Sequence, residues 1–106
     1  MPNVDVRIYC GVKGSDPIRV DRTITVSQEV LEQLIPPTPS GGGGNWPYWR
    51  EAESLVCSIL KEELFQDEVT PIQNADDLRR IGVTSLSAAF ENEQRGMIGT
   101  TPIHPQ

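Results

Sequence analysis

The residues best suited to chemistry or recognition cluster in the middle of the chain. Trp46-Pro47-Tyr48-Trp49 places three of the six aromatic residues within four positions, directly after a Pro/Gly-rich stretch. Tryptophan and tyrosine dominate binding hot spots because they bury large areas with few rotatable bonds and keep a polar handle. Residues this close at the start of a helix cannot all face one core. Two readings stand side by side: a partner-binding ring cluster, or Trp49 in the core with Trp46 folded over it as a lid.

Downstream lies Lys61-Glu62-Glu63-Leu64-Phe65-Gln66-Asp67-Glu68. On a helix Glu63 and Asp67 share a face and repel mildly. Glu62, Glu63, Asp67 and Glu68 are therefore either a solvated face or the acidic half of an interface. Phe65 breaks the polar side and is expected to touch another subunit or the C-terminal helices. We take Trp46, Tyr48, Trp49, Glu62, Glu63, Phe65, Asp67 and Glu68 as the candidate partner-binding residues.

A third stretch, Leu78-Arg79-Arg80-Ile81-Gly82-Val83-Thr84-Ser85-Leu86-Ser87-Ala88-Ala89-Phe90, read as two short helices joined at Ile-Gly-Val, resembles a helix–hairpin–helix. Such a turn presents backbone N–H groups to phosphate. Thr84 replaces the usual second glycine, and Asp76, Asp77 and Glu91 offset the two arginines, so a plain corner between two helices is the simpler expectation. The single histidine, His104, stands between Ile103 and Pro105, and Cys10 and Cys57 form no CxxC pair. No metal, cofactor or Ser-His-Asp chemistry is suggested by that set, and a non-enzymatic protein with two reduced thiols is expected.

The elements that must position these residues follow from periodicity. Val4, Val6, Ile8, Cys10 and Val12 alternate with polar residues, the period of a half-buried strand. Lys13-Gly14-Ser15-Asp16-Pro17 supplies a turn, and Ile18, Val20, Ile24 and Val26 resume the alternation, giving an antiparallel hairpin. Arg22 falls on the apolar side, where it marks a β-bulge, blunts a sheet edge, or reaches a carboxylate or ligand. Ser27 caps a short helix that Pro36-Pro37 stops. Residues 36–46 form the one low-complexity segment, a loop. From 47 to 67, apolar residues at spacings of three and four predict a long amphipathic helix. Asn74 caps a short helix ending at Gly82, and Thr84 caps a last one carrying Leu86, Ala89, Phe90 and Met97. Residues 98–106 read as a tail.

The whole is expected to be a single α+β domain over 1–106: hairpin plus short helix (1–35), loop (36–46), helical part (47–97) and tail (98–106). Its net charge of −6 is concentrated in residues 48–70, where six acids face Arg50 and Lys61. That segment repels a nucleic-acid backbone and attracts a basic partner. No apolar run reaches the roughly 20 residues of a membrane helix, and no secretory signal opens the chain, so a cytoplasmic location is expected. The resulting expectation is a small non-catalytic protein-interaction module, of the size and composition of phage or mobile-element accessory and inhibitor proteins, with a basic protein as partner. The alternatives are a structural subunit of a homo-oligomeric or virion-type assembly and, third, helix–hairpin–helix-like phosphate or nucleic-acid contact through Gly82 to Ser85.

Overall fold

A computed structural model describes residues 1–35 and 49–104. The hairpin strands are β1 (Asn3–Val12) and β2 (Ile18–Thr25), followed by α1 (Gln28–Leu34), α2 (Trp49–Glu63) and α3 (Ala75–Arg80). The chain then returns to the sheet as β3 (Val83–Asn92) and β4 (Gly96–Ile103). All neighbouring strands are antiparallel, in the order β2-β1-β3-β4, so β1 and β3 are central and β2 and β4 are edges.

This overturns the expected largely helical second half. The arrangement of one long helix followed by two shorter ones is not formed: α2 stops at Glu63, α3 has six residues, and residues 83–103 build half of the sheet. Leu86, Ala88, Phe90 and Asn92 are buried along β3 at a period of two, with Val83 buried at its start and Ser87 and Ala89 on the other face. The stretch predicted as a tail supplies most of β4, whose Ile98 lies opposite Phe90 and whose Ile103 lies opposite Leu86. The reversal between β3 and β4 is fixed by Asn92. Its side-chain oxygen accepts from the N–H groups of Gln94 (2.8 Å) and Arg95 (3.1 Å), and its amide donates to the Asn3 carbonyl (2.8 Å). Gly96 then takes a φ of +82°, which a side chain disfavours.

The core lies between the sheet and the helices. Val4, Val6, Ile8 and Cys10 from β1 and Leu86, Ala88 and Phe90 from β3 meet Leu31 and Leu34 of α1, Ala52, Val56, Ile59 and Leu60 of α2, and Leu78 of α3. Burying a side chain such as Phe90 stabilises the fold by roughly 1.5–3 kcal/mol. The helices are tied in by caps. Ser27 Oγ accepts from Val30 N (3.2 Å), Asn74 Oδ1 accepts from Asp77 N (3.0 Å), and Glu53 of α2 accepts from Ala75 N (3.2 Å) at the start of α3. Among the described residues every helix packs on one side, and none covers the opposite face of the sheet. That face carries the site.

Candidate functional site

Period-two geometry sends Asn3, Asp5, Arg7 and Tyr9 of β1 to the bare face, together with their cross-strand neighbours. Three rows result. Thr23, Asp5, Glu91 and Met97 form one, from β2 across to β4; Asp21, Arg7, Ala89 and Gly99 form the next; Arg19, Tyr9 and Ser87 form the third. A depression of about 250 Å³ opens between the first two rows, lined by Asp5, Arg7, Asp21, Thr23, Glu91 and Met97.

The charges in these rows are unevenly matched. Asp21 accepts from both Arg7 Nε (3.2 Å) and Arg19 Nε (2.9 Å), and the Arg19 guanidinium also stands 5.9 Å from the centre of the Tyr9 ring. One carboxylate thus engages both arginines of the face. Among the described residues Asp5 receives only the Thr23 hydroxyl, at 2.7 Å. Glu91, directly opposite Asp5, has no hydrogen-bond or ion-pair partner among the described residues. Like charges placed directly across two strands destabilise a sheet. Met97, beside Glu91, is 67% exposed and gives the rim an apolar patch. The site can therefore hold a cation between two carboxylates with a thioether alongside.

The residues singled out from the sequence are distributed differently. Trp46 and Tyr48 lie outside the described residues, and Trp49 is the first residue of α2. Glu62 and Glu63 are engaged within the chain: the two terminal nitrogens of Arg22 each donate to one of them. Those hydrogen bonds, reinforced by the two charges, raise the already high pKa of Arg22 further. The β1–β2 register runs unbroken past Arg22, so its inward position reflects this pairing with α2 and not a bulge. Phe65 is half-buried against the core. Glu68 accepts from Thr70 N (3.2 Å) and its carbonyl accepts from Lys61 Nζ, while Asp67 is exposed.

The arginines of the phosphate-contact reading are also occupied. Arg79 pairs with Asp76 (2.8 Å) and Arg80 with Asp77 (3.4 Å). A strand, not a helix, follows Gly82, so the two-helix geometry of that motif is not formed. Cys10 and Cys57 are free and buried. Burial pushes both thiols from an ordinary 9.0 up to about 11, with the charges of Glu53 and Asp77 adding to the shift at Cys57. A thiol so disposed is a packing group, not a nucleophile. Among the described residues no group of three or more His, Cys, Asp or Glu side chains could hold a metal ion, and no helix is long and apolar enough to cross a membrane.

Asp5, Glu91 and Met97 were not singled out from the sequence. Their juxtaposition depends on residues 83–103 being strands, and once those residues are read as helix and tail it cannot be seen. No protein-family model, no curated protein and no solved structure matches the chain, so the functional reading rests on this geometry.

Proposed function

We propose that the protein is a small non-catalytic protein-interaction module, and that the bare face of its sheet receives a partner presenting a cationic side chain. One observation carries the reading: Asp5 and Glu91 oppose each other on the two central strands, while both arginines of that face are committed to Asp21. Sequences that specify their fold well avoid such local conflicts except where function requires them. A lysine or arginine entering the depression relieves the repulsion, and exposed Met97 offers its aliphatic stem a soft apolar contact. The net charge of −6 adds long-range attraction for a basic partner.

The test uses an unstructured peptide of alternating lysine and threonine, titrated into isotopically labelled protein. The amides of Asp5, Arg7, Thr23, Ala89, Glu91 and Met97 should shift first, and the shifts should shrink as salt is added. Perturbations confined to α2 and the 62–68 stretch, or none at all, would move the interface elsewhere.

A further inference from the structure

The five described glycines differ in why they are glycine. Gly14, Gly82 and Gly96 hold φ angles of +83°, +105° and +82°, and a Cβ on Gly11 would stand 2.2 Å from Ser85 Oγ. Gly99 has neither constraint. Its backbone is one any residue adopts, and a Cβ there would meet the Ala88 carbonyl at 3.5 Å and the Ala89 Cβ at 4.0 Å, ordinary contact distances. A glycine inside a strand weakens it, and marks a place where something else comes close. Gly99 lies on the bare face of β4, a sheet edge.

The two edges are not alike. β2 carries Arg19 and Asp21, and turns Arg22 inward onto Glu62 and Glu63. Inward and outward charges are how an edge strand resists pairing with another chain. β4, Gly-Met-Ile-Gly-Thr-Thr-Pro-Ile, has no charged residue in its eight. Its regular pairing with β3 runs from Gly96 to Thr100, before an extra residue shifts the register ahead of Ile103. The midpoint of that regular stretch is Ile98.

We propose that β4 pairs antiparallel with β4 of a second copy, about a two-fold axis at Ile98. In this register Gly96 faces Thr100 of the other copy, Met97 faces Gly99, and Ile98 faces Ile98. Large lies over small on the bare face, and the half-buried Ile98 side chains extend the core layer on the other. The pairing exposes no like charges to each other despite the net −6 of each chain. It joins the two sheets into eight continuous strands with both bare faces on the same side. The stretch is its own complement, which is why a second copy, and not an unrelated strand, is the occupant. The inference shares Met97 with the cation-binding reading but uses neither of its two carboxylates, so Gly99→Lys separates the two.

Sedimentation equilibrium of the full chain, from about 10 μM to 1 mM, tests it; the range suits a contact below the roughly 1,200 Å² of stable interfaces. Wild type should pass from monomer to dimer. Gly99→Lys and Met97→Lys should each weaken the dimer at least tenfold with an unchanged circular dichroism spectrum. Amide exchange of wild type supplies a readout free of substitutions: Gly96–Thr100 should gain protection as concentration rises. A wild type that stays monomeric throughout overturns the proposal and leaves the edge to a foreign strand. A dimer indifferent to both lysines, or one that leaves Gly96–Thr100 unprotected, overturns it in favour of another surface.

Discussion

Replacing Glu91 with glutamine should make the protein more stable. Residues directly opposite in an antiparallel pair have Cα atoms about 4.5–5.5 Å apart, so the Asp5 and Glu91 carboxylates are near neighbours. Two like charges about 6 Å apart repel by roughly 0.7 kcal/mol in bulk water and several times that near a protein surface. Side-chain rotation reduces this, and opposed like charges in sheets cost roughly 0.2–1 kcal/mol. Glu91→Gln removes a charge that engages no partner among the described residues. The expected gain is therefore about 0.5 kcal/mol, or about 2–4 °C in Tm for a domain of this size. Urea unfolding gives the assay: the midpoint should rise with an unchanged slope, because the buried surface is the same. Asp5→Asn keeps an oxygen for the Thr23 hydroxyl, so a double-mutant cycle isolates the charge–charge part. The gain should fade as salt rises from about 0.1 M to 1 M and the screening length falls from about 10 Å to 3 Å. A neutral or destabilising Glu91→Gln at low salt, or a gain that ignores salt, would refute the reasoning.

Three further outcomes are expected. Gly11→Ala should cost about 1 kcal/mol, because the Ser85 Oγ that its Cβ would meet at 2.2 Å must turn aside into another rotamer; adding Ser85→Ala should recover part of the loss, and thermal melts of the single and double variants read both. Stability should fall as pH rises between about 9 and 11. Both thiols have folded pKa values raised from 9.0 to about 11, so their contribution is complete below 9 and is lost as the unfolded chain ionises first; urea midpoints between pH 7 and 10.5 measure it. Gly99→Ala should raise stability by about 0.4–1 kcal/mol through the unfolded chain, since the alanine meets ordinary contacts and no strained φ.

The parts of the fold that were legible in the sequence are those with one dominant period. Val4, Val6, Ile8 and Cys10 are all buried, and the polar residues between them are exposed. Local capping chemistry was also visible, as at Ser27 and Asn74. The second half misled because two periods coexist in it. Leu86, Ala89 and Phe90 fit a helix and Leu86, Ala88 and Phe90 fit a strand, while Leu, Ala and Glu favour helix intrinsically. The pairing of β3 with β1, a partner some 80 residues earlier in the chain, decided the outcome. β4 was obscured by its two glycines and proline, which depress strand propensity although an edge tolerates them. The candidate site shared that fate, because Asp5 finds Glu91 only across the β1–β3 ladder. Arg22 was visible as an anomaly, but its partners Glu62 and Glu63 lie 40 and 41 residues away.

The most direct measurement of the central claim sets stability and binding against each other in one variant. Asp5→Asn/Glu91→Gln should unfold at a higher urea concentration than wild type, and calorimetric titration should show its affinity for the lysine–threonine peptide reduced at least tenfold. A more stable double variant that binds the peptide as tightly as wild type would contradict the claim, because the two opposed carboxylates would then have no part in binding.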